Sequence, residues 1–376
     1  VFPLGIATGR AFCNRRVERE RLGAALLAGR HTWLMAPRRY GKTSLIHQVL
    51  LDLGRDGPAI DSEQVDLLLA HDLRSVRDLV LAAVGRLTAR ILPSPTRALR
   101  SLGRFFGGLR PEFVIDTSGA RVRFNPGGER SEQLSEALAG LDAVARSRGV
   151  RAVLVVDEFQ QVAGLHEGIA LEGAIRHAAQ GAQAVSYVFS GSHRRMLSRM
   201  FEDASRPLYH LCERLNVERI KASEYRSYLK SAARRQWHAQ PSAAAVERIL
   251  DLSACHPYYV NVLCGRLWRE PRVPGAARVA AVWRAYVAEE AARIGSELVS
   301  LSPNQRAVLA AIAAEPTAEP RGRAFLERTR VASTSVGQAL AVLLERDLAF
   351  RDPESRYRVL DPAMEWSLRE GLRALR

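Results

Sequence analysis

Lys42 and Thr43 close the stretch Ala36-Pro37-Arg38-Arg39-Tyr40-Gly41-Lys42-Thr43-Ser44, which fits G-x-x-x-x-G-K-[ST] except for Ala at the first position. Backbone N–H groups at a strand-to-helix turn point inward and bind anionic phosphate oxygens. The pattern places Lys42 within reach of β and γ phosphates and the Thr43 hydroxyl on Mg²⁺. Pro37, Arg38, Arg39, Tyr40, Gly41 and Ser44 complete the cradle. The chain has only two other lysines, Lys221 and Lys230, so the match does not come from a lysine-rich background. Ala36 lacks a long side chain but takes φ > 0 less cheaply than Gly. That predicts lowered rather than lost nucleotide affinity.

A phosphate loop needs an acid for the metal and a group to act on water. Arg151-Ala152-Val153-Leu154-Val155-Val156-Asp157-Glu158 supplies both. Its apolar run reads as a central parallel strand covered on both faces. It ends in two carboxylates where open α/β sheets bind ligands. Asp157 is expected to hold Mg²⁺, directly or through water, and Glu158 to orient or deprotonate the attacking water. A third strand, Val185–Phe189, leads into Ser190-Gly191-Ser192. Ser190 and Ser192 are candidates to touch the γ-phosphate or the lytic water.

The remaining pattern supplies the scaffold. His31–Met35 reads as the short strand before the loop, and Ser44–Leu50 as the helix after it. Arg21–Leu27 reads as an amphipathic helix opened by an Asn14 cap. A second strand is expected over Ala59–Asp66, and helices over Val76–Leu92 and Ser131–Arg148. Residues 93–130 are rich in Pro, Gly and Arg, including Arg97, Arg100, Arg104 and Arg110 around Phe105 and Phe106. This basic insertion reads either as a helix with a Glu112–Phe124 hairpin or as a nucleic-acid or partner surface. From Ser223 to Trp268 the chain is helical, and another helix is expected from Ala277 to about Ile294. Residues 301–376 have a winged-helix rhythm. Helices are expected at Asn304–Ala314, Arg323–Thr329 and Thr334–Arg346, followed by a hairpin around Asp352-Pro353-Glu354-Ser355. The third helix offers Ser335 and Gln338, with Arg330 nearby, which leaves DNA reading and protein docking or autoinhibition both open.

Composition sets bounds. The 376 residues have room for two or three domains. No apolar run approaches a membrane span and no signal-peptide pattern opens the chain, so a cytoplasmic location without membrane contact is expected. Cys13, Cys212, Cys255 and Cys264 lack C-x-x-C spacing and read as reduced thiols. The formal charge of +15 is carried almost entirely by Arg. Residues 1–215 hold 30 Lys/Arg against 22 Asp/Glu, residues 216–295 hold 13 against 7, and residues 296–376 hold 12 against 11. Any electrostatic footprint for nucleic acid therefore lies before residue 296.

Taken in order, these pieces resemble a known family. The landmarks are Phe12-x-Asn14-Arg15-x-x-Glu18, Pro37-Arg38-Arg39-x-Gly41-Lys42-Thr43-Ser44-Leu45, Val155-Val156-Asp157-Glu158-Phe159-Gln160, Ser190-Gly191-Ser192, Arg206-Pro207-Leu208-Tyr209, His256-Pro257-Tyr258-Tyr259 and Asp361-Pro362. The chain resembles prokaryotic AAA+/STAND-type P-loop ATPases of the archaeal-ATPase group, relatives of origin-recognition ATPases. The resemblance implies an α/β fold: a P-loop parallel-sheet core (1–215), a helical lid (216–295) and a C-terminal winged helix (296–376). It implies ATP and Mg²⁺ as ligands, with ATP closing the lid on the core. It also implies a lid Gly-x-Pro motif at the nucleotide, here Cys255-His256-Pro257 with Pro257 retained. An Arg completing a neighbour's site is implied too, with Arg206 the candidate and Arg194 and Arg195 behind it.

The leading functional expectation is a slow ATPase switch that engages DNA, a protein partner or copies of itself. The alternatives are an ATP-dependent DNA-binding regulator or loader, initiator-like or transposition-associated, and a non-catalytic ATP-binding scaffold. The intact Asp157-Glu158 pair argues against the scaffold.

Overall fold

The computed structural model describes residues 1–56, 60–92, 102–103, 105–106, 109–116, 119–124 and 132–374. Contacts divide the chain into two units: Arg15–Glu218, and Val1–Asn14 together with Arg219–Arg376. Arg97, Arg100 and Arg104 lie outside the described residues.

The Arg15–Glu218 unit runs α1 (Arg16–Leu27), β1 (Thr32–Met35), α2 (Lys42–Asp56), β2 (Ile60–Asp66), α3 (Leu73–Ile91), β3 (Pro111–Asp116), β4 (Gly119–Phe124), α4 (Glu132–Ser147), β5 (Arg151–Asp157), a helical turn at Gln160–Ala163, α5 (Gly168–Gly181), β6 (Val185–Gly191), α6 (Arg194–Glu202) and β7 (Glu213–Asn216). Five strands form a parallel sheet in the order β2-β5-β6-β1-β7. β6 is buried at every position and β5 at all but its first, as expected of central strands covered by helices on both faces. An aromatic layer locks the helices on: Trp33 stacks on Phe201 at 5.2 Å, and Phe159 meets Phe189 at 4.5 Å. Asp142 on α4 accepts N–H bonds from Gln183, Ala184 and Val185 at 2.7–3.0 Å, which fixes the entry to β6.

Two expectations change in this unit, and one holds. The expected Asn14 cap is absent: Arg15 is the N-cap residue, without a side-chain cap, and both Asn14 (φ 42) and Arg15 (φ 52) are left-handed. The buried Arg15 guanidinium supplies the reason, since it donates to Tyr40 O at 2.7 Å and pairs with Glu18 at 3.1 Å. β7 was not anticipated, because Glu213-Arg214-Leu215-Asn216 has one buried side chain and no apolar run. The insertion contains the expected hairpin, β3 with β4, packed on α3.

The other unit contains α7 (Ala222–Trp237), α8 (Ala243–Ser253), α9 (Pro257–Leu267), α10 (Ala276–Glu289), α11 (Ala291–Val299), α12 (Pro303–Ala314), α13 (Arg323–Thr329), α14 (Ser333–Glu345), β8 (Ala349–Arg351), β9 (Tyr357–Val359) and α15 (Pro362–Ala374). The segments expected as lid and winged helix share one hydrophobic core. Residues 1–14 belong with them rather than with the sheet. Phe2 packs edge-on against Trp268 at 4.6 Å, and Asn261 Nδ2 donates to Pro3 O at 2.8 Å. The single helix expected near 277–294 is two, α10 and α11, meeting at Glu290. Ser302 and Gln305 form a capping box on α12. Asp361 opens α15 by accepting from Ala363 N and Met364 N at 2.8 and 3.0 Å, and it pairs with Arg293 at 3.0 Å. Among the described residues no helix is long and apolar enough to cross a membrane.

Candidate active site

The parallel sheet brings the C-terminal ends of β1, β5 and β6 to one edge, and every motif of the first unit's candidate chemistry lies there. The loop 36–41 leaves β1 and turns into α2, with Leu45 N donating to Gly41 O at 2.9 Å to start the helix. The turn needs left-handed backbone at Arg39 (φ 64) and Gly41 (φ 83). Ala36 has no positive φ and is buried, so the conformational penalty expected of it does not arise. Pro37 and Tyr40 are buried, Arg38 and Arg39 are exposed, and Ser44 lies in the first turn of α2. The turn is braced from behind by the Arg15 bond to Tyr40 O.

Lys42 is 7% exposed, and its ammonium bonds to the carbonyls of Ala36 and Pro37, both at 3.3 Å. It therefore lies inside the curve of the loop. Thr43 Oγ1 donates to Asp157 Oδ2 at 3.2 Å, which joins the start of α2 to the end of β5, with β6 lying between β5 and β1 in the sheet. Ser190 Oγ donates to Asp157 Oδ1 at 2.6 Å, and Gln64 Nε2 donates to Oδ2 at 3.2 Å. Glu158 takes left-handed backbone (φ 51) immediately after the strand. That conformation costs a non-glycine residue about 1–2 kcal/mol, and such strain clusters at functional sites. Its carboxylate accepts from Ser192 Oγ at 3.0 Å and from Gln160 Nε2. Arg38 Nε donates to Ser192 Oγ at 3.2 Å. Thus Ser190 serves Asp157, and Ser192 links Glu158 to the phosphate loop.

The donor set fits a nucleotide phosphate with Mg²⁺. The cation is buried in a curve of backbone, and a hydroxyl and a carboxylate stand 3.2 Å apart beside it. Among the described residues no cluster of three or more His, Cys, Asp or Glu could hold a metal. A Mg²⁺ ion here would take only Thr43 and Asp157 from the protein and fill its octahedron with phosphate oxygens and water, its usual habit.

The sequence did not single out Gln64 and His47 for the site. His47 Nε2 bonds to Gln64 Oε1 at 2.9 Å, so the two form an outer layer behind Asp157. The signal was a glutamine on a strand paired in register with β5, where Gln64 faces Val155. Arg206, the finger candidate, makes a two-pronged pair with Glu172, its Nε at 3.1 Å from Oε2. Glu172 is fully buried. Burial raises its carboxyl above the usual range, and the Arg206 guanidinium opposes that shift. Reaching a neighbour's nucleotide would strand this carboxylate, which speaks against the finger role. Arg194 and Arg195 open α6, just past Ser192. Pro257 belongs to the other unit, at the first position of α9. There Ala254 (φ 46) and Cys255 (φ 53) are both left-handed, so Cys255 keeps a glycine-favouring conformation without being Gly.

The model of a "Probable winged helix domain" matches residues 296–370. No curated protein matches the sequence. Among solved structures, a Walker-type ATPase of Pyrococcus abyssi is similar at 19% identity and TM-score 0.64, over 98% of this chain and 99% of that one. The ORC2 protein of Aeropyrum pernix, in ADPNP and ADP complexes, is similar at 16% identity and TM-score 0.54, over 96% and 95%. The chain thus has the fold of the archaeal Walker-type and ORC P-loop proteins over nearly its whole length, and it carries a winged-helix domain at residues 296–370.

Proposed function

We propose that this protein is a Mg-ATP-dependent molecular switch of the AAA+/STAND type, with slow ATP hydrolysis coupled to engagement of DNA or a protein partner. The observation that carries the reading is the convergence of Lys42, Thr43, Asp157, Glu158, Ser190 and Ser192 on one sheet edge, each acid oriented by a different serine, Ser190 on β6 and Ser192 just after it.

In this reading the loop N–H groups and Lys42 bind the β and γ phosphates, and Lys42 exchanges its carbonyl partners for phosphate oxygens. Thr43 and Asp157 would hold Mg²⁺, which would supply neutralisation of charge on those oxygens. Asp157, fixed by Ser190 and Gln64, holds its carboxylate toward Thr43. Glu158 accepts a proton from the attacking water at its carboxylate, and Ser192 and Gln160 orient that carboxylate. The Arg38–Ser192–Glu158 chain ties the position of the base to the phosphate loop. Arg206 positions the segment after α6 rather than the reaction. The nucleotides named with the ORC2 relative support the ligand class.

A DNA-engaging variant of this reading draws on the winged helix. Arg321 lies over α14, where a Cβ on Gly337 would meet its Nη2 at 2.9 Å, and Arg330 and Gln338 are exposed beside it. Hydrogen exchange of the full chain with ATP plus Mg²⁺ and with ADP tests the switch. Slower exchange in 42–45 and 157–160 together with altered exchange in 219–376 is expected. Identical exchange in 219–376 in both states removes the switch and leaves only an ATPase.

A further inference from the structure

Lys42 and Arg38 belong to the same loop and are held in different ways. Lys42 is buried in the curve, with its ammonium on the carbonyls of Ala36 and Pro37. Arg38 is exposed, and its guanidinium is anchored at one point, Nε to Ser192 Oγ at 3.2 Å. Among the described residues its terminal nitrogens make no bond. They keep the paired donors that match phosphate oxygens, on a group that stays charged at any working pH.

The sheet order fixes where that anchor lies. β6 runs between β5 and β1. Glu158 follows β5, Ser192 follows β6 and the Arg38 loop follows β1, so the three side chains meet in that order across the edge. Ser192 Oγ accepts from Arg38 Nε and donates to Glu158 Oε2 at 3.0 Å, so one hydroxyl separates the guanidinium from the candidate base. A base must come within about 2.6–3.2 Å of the water it deprotonates. Arg38 is therefore placed on the side of the site where the water and the γ-phosphate have to meet.

Hydrolysis there forms a bond from the water oxygen to the γ-phosphorus. It breaks the bond from that phosphorus to the bridging oxygen, whose electron pair leaves on ADP, and the water proton passes to Glu158. Charge spreads over the γ oxygens as this happens, and a positioned cation beside them lowers the barrier. Arg206 cannot supply that cation without stranding the buried Glu172 carboxylate. Arg38 can, because its only bond is to a neutral hydroxyl and leaves the fork open.

We propose, resting on the nucleotide reading of this edge, that Arg38 is a catalytic residue acting in cis: its terminal nitrogens bind the γ-phosphate oxygens of the nucleotide on its own chain and stabilise the charge that develops during transfer to water. Full-length Arg38→Ala and Ser192→Ala are compared with the wild type. Arg38 is exposed, so Arg38→Ala should keep the wild-type melting temperature; Arg38→Gln, which keeps a donor for Ser192 but no charge, repeats the test if it does not fold. Turnover is expected to fall ~10²-fold or more in Arg38→Ala. Affinity for Mg-ADP with aluminium fluoride, which imitates the transferring phosphoryl group, should fall about tenfold or more, while affinity for Mg-ADP with beryllium fluoride, which imitates bound ATP, should hardly change. Ser192→Ala should cost less than Arg38→Ala. Turnover per chain should not depend on protein concentration, and mixing Arg38→Ala with Glu158→Gln should recover nothing.

Wild-type turnover in Arg38→Ala, or an equal loss of affinity for both mimics, overturns the proposal. Equal and non-additive losses in Arg38→Ala and Ser192→Ala overturn it by showing that Arg38 acts only through Ser192 on Glu158. Recovery on mixing overturns the action in cis. A wild-type protein that binds no ATP removes the nucleotide reading itself, and the role of Arg38 with it.

Discussion

The sheet edge proposed to hold nucleotide and the exposed face of the winged helix use charge in opposite ways. At the sheet edge one lysine is buried in a curve of backbone, and two acids are each held by a separate serine. On the winged helix, α14 itself supplies Ser335 and Gln338, and its cations arrive from outside it, Arg321 over Gly337 and Arg330 at the end of α13. A phosphate site made of consecutive backbone and a few fixed groups is specified by a short motif. A recognition face assembled from separate segments is specified only by the fold. Changes at the sheet edge should therefore act steeply and one residue at a time, and changes on α14 gradually and in combination.

The steepest expected effect is at Glu158. Glu158→Gln keeps the bonds from Ser192 and Gln160 but cannot accept a proton. Steady-state turnover should fall by ~10²–10⁴-fold while ATP affinity stays close to wild type. Unchanged turnover would mean that another group handles the water.

Next comes Arg206, where packing and catalysis make different claims. Removing one partner of a buried ion pair costs about 3–5 kcal/mol, so Arg206→Ala should lower the urea midpoint strongly. ATP turnover per folded molecule should hardly change. A variant of normal stability with poor turnover, recovered on mixing with Glu158→Gln, would restore the finger role and sink the packing one.

How much of this was written in the sequence differs along the same line. The loop, β5 with its acids and β6 with its serines were legible because contiguous apolar runs end in polar groups. The hairpin was expected over Glu112–Phe124 as one of two readings of the insertion, and β3 pairs with β4 there. Gln64 and His47 were not, because they meet Asp157 only through strand register and helix placement. The Asn14 cap failed because a long-range bond, Arg15 to Tyr40 O, outweighed a local preference. β7 was hidden by its polar composition. The union of residues 1–14 with 219–376 is seen at Phe2 and Pro3, whose partners Tyr228, Trp268 and Asn261 lie more than 220 residues away.

On the winged helix the effect should be smaller. Arg321→Ser with Arg330→Ser should reduce the salt dependence of duplex DNA binding by about two units, close to one per lost phosphate contact. Either change alone should give about half of that. An unchanged slope would leave α14 as a protein-docking face.

The smallest effect concerns His31. Its Nε2 bonds to Ala179 O at 2.9 Å and its Nδ1 accepts from Tyr187 N at 3.2 Å, which fits a neutral ring donating through Nε2. Burial holds its pKa below the ordinary 6.5, against the backbone bond to Ala179 and the charge of Asp142. The unfolded chain therefore binds this proton first as pH falls. The stability from this site is full above about pH 6.5 and declines as pH drops toward the lowered folded value. The urea midpoint should fall between pH 7.5 and 5.5, with a shallower fall in His31→Gln. An equal slope in both proteins would assign the pH dependence elsewhere.

Equilibrium binding of ATP with Mg²⁺ to the wild type, Lys42→Ala and Asp157→Ala, measured by calorimetry on folded protein, bears most directly on the sheet edge. The wild type should bind one ATP per chain. Lys42→Ala should lose tight binding with or without metal, and Asp157→Ala should lose only the part of the affinity that Mg²⁺ adds. Wild-type affinity in Lys42→Ala would contradict the assignment of residues 36–44 as the phosphate site.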